Sequence, residues 1–211
     1  MEKQEHYFSA NPTAVSRPQL IESIVRGHIL YLQTDHGVFS RTKVDQGSLL
    51  LADSAFIAPH ARVLDLGAGY GPVGIAVAKS DMSVSVLMVD VNERALQLAK
   101  DNAKRNGVAT QTTFERGDGL SYLAPDRCFD VILFNPPIRA GKETIFRLYR
   151  EAVQHMDQWG SLFVVIQKKQ GFDSTKRYLQ TLCVDVSVIA KDQGYRVLQC
   201  RDARLRVENS D

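Results

Sequence analysis

Arg62 to Ser80 reads RVLDLGAGYGPVGIAVAKS: a short apolar strand, a glycine-rich turn and an apolar helix in immediate succession. Gly67, Gly69 and Gly71 let the backbone turn tightly and come close to a ligand, and Pro72 suits a first helical turn. Gly74 removes a side chain where the helix packs on the sheet. A glycine-rich loop alone is weak evidence for a bound cofactor. The next stretch, Ser83 to Asp90 (SVSVLMVD), adds a second apolar strand that ends in an acid. At the end of the second strand of a doubly wound sheet, an acid lies beside the glycine loop and accepts hydrogen bonds from ribose hydroxyls. Asp90 fits that role; it also fits a cap for a helix over Glu93 to Asn106, whose stripe is Ala95, Leu96, Ala99 and Ala103 and whose stop is Gly107.

Working outward, Gln111 to Glu115 reads as a third strand. Asp118 then falls at its C-terminal end, either as a ligand contact or as a turn former before Gly119. Strand, helix, strand, helix, strand at this spacing predicts a parallel sheet with its crevice at the C-terminal edge. Phe129 to Lys142 (FDVILFNPPIRAGK) brings a further buried strand to that edge and stops it abruptly. Pro136 and Pro137 offer no backbone donor and restrict φ, so the carbonyls and the Asn135 side chain are held as fixed acceptors. Downstream we expect a helix over Lys142 to Asp157 that includes Met156, and a strand over Ser161 to Ile166. Gln167 to Gly171 leaves that strand, and a terminal hairpin of Val184 to Ala190 with Tyr195 to Cys200 follows.

Upstream, Met1 to Gln19 reads as a polar arm. Leu20 to Ser40 reads as a three-stranded meander (LIESIV, HILYLQT, VFS), so residues 1–44 form an extension to a compact unit over 45–211. Asp45 suits the cap of a helix running through Ala55, with Leu49, Leu50 and Ala52 buried. His28 and His36 lie beside turns. With 44% hydrophobic and 24% charged residues the chain is ordinary for a globular protein, which argues against disorder. The net charge is only +2, yet residues 139–211 carry 13 Lys/Arg against 9 Asp/Glu, a local excess that suits an anionic partner or a solvated face. Cys128, Cys183 and Cys200 have no zinc spacing, so no metal is expected. Neither an export leader nor an eighteen-residue apolar run is present, so a cytoplasmic location away from membranes is expected.

VLDLGAGYGPVGIAVA with an acid-ended second strand resembles the class I S-adenosylmethionine-dependent methyltransferases, and NPPI resembles those that methylate planar amino nitrogens. TDHGVFSRTKVDQGSLLL, NPPIRAGK, VIQKKQG and GYRVL together resemble the small-subunit ribosomal RNA guanine-N2 methyltransferases, over roughly residues 25–200. The resemblance implies a Rossmann-like α/β fold with a seven-stranded, mostly parallel sheet and an antiparallel last strand. It also implies S-adenosylmethionine in a crevice of Asp65, Gly67, Ala68, Gly69, Tyr70, Gly71, Asp90, Val91, Asn92, Asp118, Gly119 and Asn135. The partner it implies is ribosomal RNA or a pre-ribosomal particle; the sequence leaves open whether the protein is a monomer or a weak dimer. Larger members carry an additional degenerate domain, which is not expected in this chain.

An exocyclic aromatic amine is a poor nucleophile because its lone pair is delocalised into the ring. Asn135, Pro136, Pro137 and Ile138 are the expected catalytic segment. The Asn135 oxygen and Pro136 carbonyl would accept the two amine protons and aim the lone pair at the methyl group. Ile138 or Phe39 would pack on the base, although Phe39 fits a core position equally well. Arg139, Lys142, Lys168, Lys169 and Arg196 would meet RNA phosphates if their loops converge, or else are simply solvated. Methylation of adenine N6 or of a protein amide would use the same segment. A dinucleotide-dependent oxidoreductase would need the glycine loop but gives Asn135-Pro136-Pro137 no purpose. A cofactor-sensing RNA-binding module without turnover is a third reading.

Overall fold

The computed structural model describes residues 15–204, so most of the polar arm expected at the N-terminus lies outside the described residues. The described chain begins with an antiparallel hairpin, β1 (Gln19–Val25) and β2 (His28–Thr34). Arg26 and Gly27 both have positive φ, 50° and 73°, as a two-residue primed turn requires. Arg26 recovers the cost: its guanidinium donates to the carbonyls of Ala52 and Ala55 at the end of α1 (Gln46–Ser54).

The third strand expected over Val38 to Ser40 does not form; this segment runs through turns and bends, with Ser40 at φ 53°. A helix already occupies the outer edge of β2, because α3 (Glu93–Arg105) and the residue after it supply two amide side chains one turn apart. Asn106 accepts from the Tyr31 N–H at 3.1 Å and donates to its carbonyl at 2.9 Å. Asn102 does the same for Gln33 at 2.7 and 2.9 Å. These four bonds replace the ladder a third strand would have made.

The main sheet contains β3 (Arg62–Leu66), β4 (Ser85–Asp90), β5 (Thr112–Arg116), β6 (Phe129–Phe134), β7 (Met156–Gln167), β8 (Cys183–Asp192) and β9 (Tyr195–Ala203). Their order is β5-β4-β3-β6-β7-β9-β8. Neighbours from β5 through β7 pair in parallel, and β9 runs antiparallel to both β7 and β8. This is the class I methyltransferase architecture that the sequence resembles. The chain winds outward from β3 to β5 and then returns to β3's other side as β6, so the crevice opens where β3 and β6 end.

The strands read as continuous apolar runs because both sheet faces are covered. Val63, Val86, Met88, Val131 and Leu133 point to one core, under α1, α2 (Pro72–Ser80), α3 and the hairpin. The alternating Leu64, Leu66, Leu87, Ile132 and Phe134 point to the other, under α4 (Lys142–Gln154) and α5 (Phe172–Leu182). Gly74 is needed at the first contact: a Cβ there would lie 2.7 Å from Met88 Cε and 3.0 Å from Asp65 Oδ2.

Two element boundaries differ from expectation. Met156, expected in the last turn of α4, is the first residue of β7, since α4 ends at Gln154. In α1 the buried positions are Gly47, Ser48, Leu51 and Ala52, whereas Leu49 and Leu50 are half-buried. The helix α5 was not anticipated; it starts from Gly171 at φ 99° and buries Phe172, Thr175, Leu179 and Leu182. Among the described residues no helix is long and apolar enough to cross a membrane.

Candidate active site

The glycine loop is pinned to β4 by backbone bonds: the Gly67 and Ala68 N–H groups donate to the Val89 carbonyl at 2.8 and 3.0 Å. Gly67, Gly69 and Gly71 adopt φ of 70°, 58° and 90°, which only glycine takes without strain. A Cβ at Gly69 would meet nothing within 4 Å, so its backbone borders open space. Asp90 closes the loop, with Oδ2 accepting from Gly69 N–H and Oδ1 from Asn92 N–H, both at 2.8 Å. The α3 cap is Asn92 itself, accepting from Ala95 N–H at 3.1 Å and donating to the Gly37 carbonyl at 2.9 Å. Asp65 is buried beneath the loop and accepts from Gly74 N–H at 2.8 Å. Burial pushes its carboxyl up to about 7, opposed by that N–H and reinforced by the nearby charge of Asp90. Burial also raises Asp90, against the N–H groups of Asn92, Gly69 and Val91.

A cavity of about 340 Å³ opens at this edge. Asp65, Gly67, Ala68, Gly69, Tyr70, Asp90, Val91, Asp118 and Gly119 line one part; Asn135, Pro136, Pro137 and Phe39 line another. Gly71, Asn92 and Ile138 do not line it; Ile138 begins a short 3₁₀ turn whose last residue, Ala140, does. The loop after β5 is held from behind by α4. Arg147 donates to Asp118 Oδ1 at 2.8 Å and to its carbonyl at 3.0 Å, and to Glu151 Oε1 at 2.8 Å. Glu151 Oε2 in turn accepts from the buried Leu120 N–H at 2.7 Å.

Asn135 sits on the cavity wall at the end of β6. Its Nδ2 donates to Asp45 Oδ2 at 3.1 Å and to Ser48 Oγ at 3.0 Å. Both amide protons are thus used, while Oδ1 makes no hydrogen bond among the described residues. Asp45 and Ser48 line the cavity too, and neither was expected there. Ser40, Thr144 and Leu148 complete the wall unanticipated.

The five basic residues do not line the cavity. Arg139 and Lys142 follow β6, Lys168 and Lys169 follow β7, and Arg196 is second in the antiparallel β9, so the topology brings all five to the cavity's edge of the sheet. Lys168 N–H donates to the Gly194 carbonyl at 2.8 Å, joining two of these loops. Arg196 lies 4.4 Å over the Phe172 ring, and Lys142 5.1 Å over Phe146.

Residues 30–199 match the methyltransferase small domain family. The chain belongs to this family. Among methyltransferase small domain relatives it is 39% identical to the uncharacterized protein YbxB of Bacillus subtilis, over 93% of this chain and 98% of that one. It is 32% identical to ribosomal RNA large subunit methyltransferase G of Alcanivorax borkumensis, over 78% of this chain and 43% of the relative. It is also 32% identical to ribosomal RNA small subunit methyltransferase C of Shigella flexneri, over 64% and 40% respectively. The chain therefore spans less than half the length of both named ribosomal RNA methyltransferases. In fold it is similar to the 16S rRNA N2 methyltransferase RsmC of T. thermophilus, solved with AdoMet and guanosine. The TM-score is 0.78 at 24% identity, over 90% of this chain and 52% of that one.

Proposed function

We propose that this chain transfers the methyl group of S-adenosylmethionine to the exocyclic N2 amine of a guanine in ribosomal RNA, with the small subunit as the favoured source. The observation that carries this reading is the state of Asn135: it lines the cavity, and its amide nitrogen is consumed by Asp45 and Ser48, which leaves its oxygen without a partner among the described residues. An acceptor next to the carbonyl of Pro136 suits an amine with two protons to give. The ribosomal RNA methyltransferase names of its relatives support the substrate class.

The residues present fit the methyl donor. Open space over the Gly69 backbone admits a close ligand, and Asp90, the proposed partner of the ribose hydroxyls, and Asp118 border the same cavity. S-adenosylmethionine supplies an electrophilic methyl group on a sulfonium. Asn135 Oδ1 and the Pro136 carbonyl accept the two N2 protons, draw the lone pair out of conjugation and stabilise the positive charge that develops on nitrogen. The methylated nitrogen then loses a proton to water, so no strong base is required. Phe39, 38% exposed at the cavity, offers a ring to the base.

Asn135→Ala should abolish turnover on ribosomal RNA from cells lacking the protein, with S-adenosylmethionine affinity by calorimetry staying within a few fold. Normal turnover in that variant would overturn the reading. Binding of NAD in place of S-adenosylmethionine would overturn the donor, and mass mapping of the methylated nucleotide in both subunits' RNA decides the target.

A further inference from the structure

Two segments far along the chain frame Asn135: Asp45 and Ser48, before the sheet begins, accept from its amide, and Tyr195 in the last hairpin donates to Asp45. Both belong to motifs the reaction above leaves without a use. We propose that Asp45, supported by Ser48 and Tyr195, is a positioning residue that locks the Asn135 amide with its oxygen toward the cavity. This rests on the reading of Asn135 as the acceptor of the amine protons.

A terminal amide has nearly the same shape in its two flipped orientations, so its partners decide which one is populated. An ionised carboxylate accepts hydrogen bonds and donates none. Facing Asp45, the Asn135 side chain gains a charge-assisted bond when nitrogen points inward, whereas an inward oxygen would set two acceptors against each other. The flipped amide would also turn its NH₂ on an incoming amine, donor against donor. Asp45 therefore decides whether the site offers an acceptor or a donor. Its negative charge beside Nδ2 further polarises the amide and strengthens Oδ1 as an acceptor.

The carboxylate is itself held on several sides. Oδ2 also accepts from Ser48 N–H at 3.1 Å as the cap of α1, and Oδ1 accepts from the Tyr195 hydroxyl at 3.3 Å. The Tyr195 ring lies over the first turn of α1, where a Cβ on Gly47 would fall 2.9 Å from ring carbon Cε1. Gly47 thus makes room for the ring, Tyr195 fixes Asp45, and Asp45 fixes Asn135 across 90 positions of sequence.

Asp45→Asn separates positioning from folding, because asparagine caps a helix as well as aspartate does. An amide in its place satisfies Asn135 in either orientation, so the acceptor is no longer enforced. The full-length variant should keep its thermal midpoint and its S-adenosylmethionine dissociation constant within about threefold. Its kcat on undermethylated ribosomal RNA should fall by about 10- to 100-fold, the scale of a misplaced catalytic group. Tyr195→Phe should lose less. A readout free of turnover is the pair of Nδ2 protons of Asn135 in an ¹⁵N-labelled sample, assigned by their disappearance in Asn135→Ala. They should exchange slowly in the wild type and faster in Asp45→Asn. Full kcat in Asp45→Asn, or Asn135 amide signals indifferent to that change, would overturn the proposal. A fully active Asn135→Ala would instead overturn the role of Asn135, even if the amide signals of Asn135 in the otherwise wild-type protein respond to Asp45→Asn.

Discussion

Asp65 is buried and Asp90 half-buried beneath one glycine loop; Asp65 accepts from the Gly74 N–H in α2, and Asp90 from the N–H groups of Gly69 and Asn92. Asp65 carries a consequence for stability. Its carboxyl is raised from 3.8 in the ordinary state to about 7 in the fold, so the folded protein holds that proton more tightly than the unfolded chain does. Stability from this group is fullest below the unfolded value and declines as pH rises through the window between 3.8 and about 7. Asp65→Asn cannot titrate. Urea unfolding of both proteins at pH 5 and pH 8 should show the wild type losing stability relative to the variant by a few kcal/mol, at about 1.4 kcal/mol per pKa unit. A difference that does not change with pH would mean that Asp65 is ionised in the fold throughout. At this scale the sequence is legible where a residue acts beside its neighbours: Gly67, Gly69, Asp90 and Asn135-Pro136-Pro137 all border the cavity, although Gly71 does not. Asp45 was visible only as a helix cap, because its second use depends on a partner 90 positions away.

Among the elements, strands buried on two faces were readable from their apolar runs and broad helical stripes from their periodicity, whereas one helix with a narrow stripe was not. β3, β4, β6 and β7 show long apolar runs because successive residues feed opposite cores. α5 escapes a reading by apolar periodicity because only one narrow stripe of FDSTKRYLQTL is buried, amid exposed polar residues. The missing third strand of the N-terminal meander has a similar cause, since amides on α3 that no local pattern ties to β2 already fill its place. α2 offers a test of close packing. Gly74→Val would force carbon into Met88 and Asp65, and overpacking of this kind costs about 1–3 kcal/mol, beyond any gain in helix propensity. We expect a lower thermal midpoint, with S-adenosylmethionine binding weakened as the glycine loop shifts; an unchanged midpoint would show that α2 can slide on β4.

Over the whole molecule, the parallel core gathers five basic side chains at the edge that holds the cavity while keeping them off its wall. If these residues meet phosphates, Lys168→Ala with Lys169→Ala should weaken RNA binding about equally for all sequences. It should also flatten the dependence of log K on log salt by about one to two in slope. Filter binding between low and moderate salt measures this, and an unaltered slope would remove these lysines from the RNA path. The parallel sheet with its crevice at the C-terminal edge was legible up to the terminal hairpin, and the excess of charge in the C-terminal third suited either an anionic partner or a solvated face. That only the flank, and not the wall, is basic required the register of β7 with β9.

The segment between β2 and α1 is laced down along its length. The His36 carbonyl takes a bond from Arg94, that of Gly37 from Asn92, that of Ser40 from Tyr70 and that of Arg41 from Thr34. Phe39 rides on this strap, so the mouth it borders behaves as a fixed sill and not as a swinging door. On the function proposed above, a nucleotide arriving there would meet a slot already cut to shape, and the work of leaving its own stack would fall on the nucleic acid.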